Sequence, residues 1–200
     1  MAAEPSTTSQ AILGLLSLRS WSTYELAKQA QRSLEWFWPR AERKLYDEPK
    51  RLVALGLAHG EKEMTGARPR TVYAITRKGR QALRRWLDEP PVPPVLEFEG
   101  MVKVFFADGG TLGQLRTNLV AIADTAESRL GDLRIKVGEL DGPYDFEQRR
   151  HLNALGLRFH LEHEVAIAGW ARWALEQVDG WASTTDPGSW DHHAAFADLG

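Results

Sequence analysis

Four of the five residues from Pro90 to Pro94 are proline, and no regular element continues through such a run. Proline has no N–H to give a helix or a strand ladder, and its fixed φ favours an extended spacer. A chain of 200 residues interrupted there reads as two parts, one on each side. The charge divides at the same place. Residues 1–90 hold 16 Lys and Arg against 10 Asp and Glu, whereas residues 91–200 hold 9 against 17. A formal net charge of −2 thus conceals a basic half and an acidic half, which points to different partners for each. We expect domains at 1–89 and 95–181, a spacer at 90–94, and an irregular, mobile tail over 182–200.

The basic half reads as helices first. Thr8 or a neighbour caps a helix carrying Ile12, Leu13, Leu15, Leu16 and Leu18. Ser22 and Glu25 stand in capping-box spacing and start a second, with Leu26, Ala27 and Ala30 turned to the core. A third is expected from near Trp38-Pro39 to Leu55, where Gly56 stops it. Ala41, Leu45, Pro49 and Leu52 share its inner face, and Arg40, Arg43, Asp47 and Lys50 lie opposite. Pro49 predicts either a kink or a later helix start. The period then changes. Leu57–Glu63 and Arg70–Ile75 read as strands around a basic, Gly-containing turn, and Thr76 caps a helix from Arg77 to Leu87 whose inner side is Ala82, Leu83, Trp86 and Leu87. Three helices, a hairpin and a fourth helix are the order of a winged helix-turn-helix.

Several short motifs occur in that order: residues 11–16 (AILGLL), Tyr24-Glu25-Leu26, Leu45-Tyr46, Lys50-Arg51-Leu52, Gly56-Leu57 and residues 73–79 (YAITRKG). Over about residues 9–88 the chain resembles the PadR family of bacterial transcription regulators, and the rest resembles its longer members. The resemblance implies a mainly α protein, with an N-terminal winged helix-turn-helix, a two-stranded wing and a C-terminal antiparallel long-helix dimerisation domain. It also implies a third helix in the major groove, a wing on the DNA backbone or minor groove, and a ligand-responsive repressor. The chain departs from the family pattern at Thr23, where Gly is usual. It departs again at Asp47-Glu48-Pro49, where Pro usually follows the Tyr directly.

The residue types suit double-stranded DNA. Arg and Lys donate to guanine in the major groove, while Tyr and Arg reach phosphate. Arg40, Arg43, Lys44, Tyr46 and Lys50 supply that chemistry on or beside the outer face of the third helix, and Arg68 and Arg70 supply it at the wing. Asp47 would repel phosphate unless it accepts from a cytosine amino group or pairs with Arg43 or Lys50. Arg77, Lys78 and Arg80 oppose the dipole of the helix they begin, so they serve phosphate or are simply solvated. A winged-helix adaptor that binds protein and not DNA is the alternative from another class.

In the acidic half, residues 95–107 (VLEFEGMVKVFFA) suit a buried helix or an extended arm, and residues 108–111 break it and cap the next helix. Leu112, Leu115, Leu119, Ile122, Ala126, Leu130, Leu133, Val137 and Leu140 keep three-four spacing, a coiled-coil-like seam. After a turn at Asp141-Gly142-Pro143, a helix over about residues 145–181 carries two apolar stripes. One holds Leu152, Leu155, Phe159, Ala166, Trp170 and Trp173; the other holds Leu157, Leu161, Val165, Ala168 and Leu175. One neighbour cannot cover both, so we expect a homodimer through these helices, matching paired half-sites on DNA. Phe105, Phe159, Trp170 and Trp173 are candidates to line a pocket for a small aromatic effector, against ordinary packing of the same residues.

Other chemistries find little support. The sequence has no Cys, no nucleotide-binding glycine loop and no nucleophile elbow, so we expect no enzyme and no cofactor. His160, His163 and Glu164, like the His192-His193 pair, lack a convincing third metal ligand, and no metal site is expected. No apolar run approaches a membrane span of roughly 20 residues, and a polar start without a basic leader fits a cytoplasmic protein.

Overall fold

The computed structural model describes residues 5–34, 38, 45–65, 68–143 and 145–197. Contacts divide the chain into two compact units, Met1–Pro94 and Val95–Gly200.

The first unit begins with α1 (Thr7–Leu16), opened by a capping box between Ser6 and Ser9. Ile12, Leu13 and Leu16 are fully buried there, each contributing about 2 kcal/mol relative to exposure. Next come β1 (Trp21–Ser22) and α2 (Thr23–Leu34). Ser22 and Glu25 form the expected reciprocal cap: the Ser22 N–H donates to Glu25 Oε2 at 2.8 Å and the Glu25 N–H to Ser22 Oγ at 3.3 Å. These bonds hold the Glu25 carboxyl below its usual range, with smaller contributions from Arg19 and Arg70.

The third helix differs from expectation. Residues 39–44 lie outside the described residues, residues 45–47 form a turn, and α3 is Glu48–Ala54. Pro49 sits in its first turn, where the missing N–H costs nothing, so the proline starts this helix and does not kink it. The hairpin of β2 (Ala58–Thr65) and β3 (Arg68–Ile75) is longer than the sequence suggested, running from Ala58↔Ile75 to Thr65↔Arg68. β1 adds to its other side through Trp21↔Tyr73 and Ser22↔Val72, giving the order β1-β3-β2. Two residues are too short to show a period, so no sequence pattern marks this strand. Thr76 caps α4 (Arg77–Asp88), accepting from the Gly79 N–H at 3.0 Å. Ala82 is buried on α4, but Leu87 is exposed, contrary to its expected inward placement. Gly79 allows α4 its close approach, since a Cβ there would lie 2.0 Å from the Leu57 carbonyl oxygen.

In the second unit, α5 (Glu99–Phe105) is followed by α6 (Leu112–Gly138), capped by Thr111 and Gln114, and α7 (Arg150–Val178). α5 has no buried residue; Phe105 and Phe106 at its end are exposed. The α6 seam is largely as expected, with Leu115, Leu119, Ile122, Ala126, Leu130 and Leu133 buried. α7 is shorter than expected, about 43 Å long. Its fully buried residues are His160, Glu164, Ala168, Ala171, Ala174 and Val178, of which only Ala168 belongs to an expected stripe. Alanines let the helix axes approach closely; Leu161, Trp170, Trp173 and Leu175 pack half-buried beside them, while Leu152, Leu155, Phe159 and Val165 are exposed. Past α7 the tail is irregular but packed. Trp190 meets Trp181 edge-on with ring centres 5.5 Å apart, and its indole N–H donates to Gln177 Oε1 at 3.0 Å.

Candidate nucleic-acid interface

α3 separates its side chains cleanly. Leu45 before it and Pro49 and Leu52 within it are buried. Tyr46 is 56% exposed, and the Lys50 side chain is 71% exposed with its Nζ 3.4 Å from Asp47 Oδ1. Asp47 is thus answered within its own turn, as one of its two expected pairings required. Glu48 turns inward and is buried. It accepts from the Ser9 hydroxyl of α1 and from Arg51 Nη1 at 3.1 Å, and Arg51 also donates to Ser9 Oγ at 3.3 Å. A buried carboxylate is tolerated only when its charge and lone pairs are met, and this cluster meets them. Arg51 is therefore committed to the protein.

The C-terminal end of α3 is closed by the next elements. Gly56 has φ +69, and the pair Leu57 N–H to Leu52 O and Gly56 N–H to Val53 O, each 2.9 Å, makes a Schellman stop. Lys78 Nζ donates to the Leu55 carbonyl at 2.8 Å, and Thr76 Oγ1 donates to the Gly56 carbonyl at 2.8 Å. Arg80 Nη1 reaches the Ser17 carbonyl at the end of α1, at 3.4 Å. Two of the three charges that oppose the dipole of α4 thus complement the negative ends of α3 and α1. The sequence held a clue to this, because a cation badly placed for its own helix is often well placed for another.

On the wing, Glu63 and Arg70 face each other across the ladder, with an Nη2–Oε2 distance of 3.0 Å. Both are about half exposed, so the pair contributes little stability but does offset the charge that Arg70 offers to phosphate. Arg70, Pro69 and Thr71 line one side of a shallow notch whose other side is residues 22–25, including exposed Tyr24. Arg68 opens β3 opposite Thr65. The remaining expected DNA residues, Arg40, Arg43 and Lys44, lie outside the described residues.

The four aromatic effector candidates do not converge on one pocket in this chain. Trp170 and Trp173 pack against the cluster of Leu115, Leu119 and Ile122, while Phe105 and Phe159 are exposed. Phe159 is eleven residues before Trp170 on the same helix, about 16 Å along its axis. Phe159 instead stacks on His163, with ring centres 6.1 Å apart. Among the described residues, no group of three or more His, Cys, Asp or Glu is arranged to hold a metal ion. No helix there is long and apolar enough to cross a membrane.

A helical core, a short helix with an outward basic and aromatic face, and an adjoining antiparallel hairpin define a winged-helix module of the DNA-binding regulators. Residues 12–85 match the transcriptional regulator PadR-like family, and residues 99–179 match the virulence activator alpha C-terminal region. The chain thus carries a PadR-like domain followed by a helical region of the virulence-activator type, and is a DNA-binding transcriptional regulator. It is 25% identical over 181 residues to the negative transcriptional regulator PadR of Bacillus subtilis, covering 84% of this chain and 96% of that one. The fold is similar to the crystal structure of Bacillus subtilis PadR in complex with operator DNA, at a TM-score of 0.76, 24% identity, and coverage of 86% and 99% of the two chains. It is also similar to the same protein in complex with p-coumaric acid, at a TM-score of 0.71, 25% identity, and coverage of 86% and 98%.

Proposed function

We propose that this chain is a homodimeric, ligand-responsive repressor that reads its operator with α3 and the wing. The observation that carries the reading is the division of α3: Glu48, Pro49 and Leu52 are buried, leaving Tyr46 and Lys50 to the outside. Tyr46 and Lys50, with Arg40, Arg43 and Lys44, are assigned to the major groove and its phosphates, and Arg68 and Arg70 to the wing contact. The relative crystallised with operator DNA supports the target, and the relative named a negative regulator supports repression. A protein with this task works in the cytoplasm, where the chromosome is.

Dimerisation is supported by α7. Leu152, Leu155, Phe159 and Val165 are all exposed, an apolar surface that a second copy would cover. The effector is proposed to be a small aromatic acid, by analogy with the p-coumaric acid complex. It acts by binding one arrangement of the dimer more tightly than another, since only differential affinity shifts a population.

Fluorescence anisotropy of a labelled duplex from the gene's own upstream region, beside a scrambled duplex and at several salt concentrations, tests the reading. Tight binding to the first, weak binding to the second and a steep salt dependence are expected. Absence of binding to either at low salt would overturn it. Added p-coumaric acid is expected to weaken the specific complex, and unchanged affinity would remove that compound from the proposal.

A further inference from the structure

We propose that Lys78 is a positioning residue for DNA recognition: from the start of α4 it clamps the C-terminal end of α3, while the buried Ser9–Glu48–Arg51 cluster clamps the other. This rests on the reading that α3 faces DNA. With seven residues, α3 is too short to hold its geometry by its own hydrogen bonds. Its buried apolar residues, Pro49 and Leu52, occupy one turn, and apolar contact is non-directional. It fixes how deep the helix sits more firmly than how far it is rotated about its axis.

Both ends carry directional contacts. At the N-terminal end, Glu48 is tied to α1 through Ser9 and to its own helix through Arg51. At the C-terminal end, the carbonyls of Leu52 and Val53 are taken up by the Schellman stop, leaving those of Leu55 and Gly56 for other donors. Lys78 and Thr76 meet them, both at 2.8 Å and both from the first turn of α4 or its cap. Gly56 is called for by its φ of +69 and not by Lys78, since a Cβ there would meet Nζ at 3.8 Å, an ordinary contact. Lys78 is unfavourable to its own helix dipole and favourable to that of α3. Together the clamps set the rotation that sends Tyr46 and Lys50 outward.

The test uses the full chain with a duplex selected from a random library by the wild type, beside an unrelated duplex, over a series of salt concentrations. Lys78→Met is expected to bind the selected duplex about three- to tenfold more weakly, the range for one solvent-exposed hydrogen bond, and to bind the unrelated duplex almost unchanged. The slope of log affinity against log salt should stay the same, and Lys78→Arg should restore most of the loss. Equal losses on both duplexes, with the slope reduced by about one, would make Lys78 a phosphate contact and overturn the proposal. Unchanged affinity on both would leave it a solvated lysine and overturn the proposal equally. Glu48→Gln supplies a second arm, because a buried carboxylate cannot itself bind phosphate. It should lose specificity without a change in slope, and full retention of specificity by a folded Glu48→Gln protein would refute the clamp. If the wild type selects no duplex at low salt, the DNA reading fails and takes this role with it. That result is distinct from a wild type that binds beside a variant that is unaffected.

Discussion

Replacing Gly79 with alanine sets two effects of opposite sign against each other. Alanine is the better helix former by up to about 1 kcal/mol, and less in a first turn, where Gly79 stands. Against that, the added Cβ would sit 2.0 Å from the Leu57 carbonyl oxygen, 3.0 Å from its carbon and 2.8 Å from Ile75 Cγ1. The oxygen belongs to backbone leading into β2 and cannot swing away, so α4 must retreat by about 1 Å, and overpacking of this kind costs about 1–3 kcal/mol or more. The clash outweighs the propensity, and Gly79→Ala is expected to destabilise the first unit by about 2 kcal/mol. Gly131→Ala is the control. It lies inside α6 with nothing within 4 Å of the new Cβ, so the same substitution should stabilise the second unit by up to about 1 kcal/mol. Hydrogen exchange read by mass spectrometry on peptides from β2–β3 and from α6 reports each unit separately. Unchanged or slower exchange across the hairpin in Gly79→Ala would refute the steric argument.

Burial, then the neighbouring His163, holds His160 below its ordinary range; Glu164 pulls the other way and Lys136 adds to the lowering. The neutral imidazole is therefore the favoured folded form. Its contribution is complete above the ordinary value of 6.5 and is lost as pH falls through the lowered one. Melting temperatures of the wild type should drop from neutral pH to about pH 5 more steeply than those of His160→Gln; parallel profiles would exclude His160 as a source. Phe159→Glu places a charge on the exposed surface of α7 and should convert dimer to folded monomer in sedimentation runs, whereas an unaltered dimer would move the interface elsewhere. Trp190→Ala removes an edge-on aromatic contact and a hydrogen bond, together about 2 kcal/mol, and should make residues 183–190 readily cut by limited proteolysis.

Much of the fold is legible in the sequence because it is written in local chemistry. Ser22 with Glu25, Thr76, and Thr111 with Gln114 announce helix starts that need no tertiary information, and the leucines from 115 to 133 announce a packed seam. Pairing over a distance is harder to read. β1 exists only because Trp21 and Ser22 meet β3. α7 shows the limit of hydropathy alone: Trp170 and Trp173 do pack, but the fully buried positions include Ala171 and Ala174, which close helix approach selects and neither stripe contained. The inward carboxylates follow the same logic. Glu48 looks like a solvated residue until Ser9 is brought beside it, 39 residues away in sequence. Arg51, Lys78 and Arg80 count toward a basic face by composition, yet the structure gives each a protein partner. For the site, the exposure of Lys50 followed from helical period, that of Tyr46 comes from the turn before α3, and the salt bridge that offsets Arg70 required the strand register.

The alanine seam of α7 leaves the two long helices with unequal freedom to change. On α6, a buried leucine can be traded for a smaller residue at a graded cost, set by the cavity left behind. On α7, positions 168, 171 and 174 have no such gradient: each is already nearly as small as a side chain can be, and growth by even one methyl must push two helices apart along their shared length. Tolerance to substitution in this hairpin is therefore one-sided: the leucine side yields by degrees, and the alanines act as a fixed gauge for the spacing of the pair.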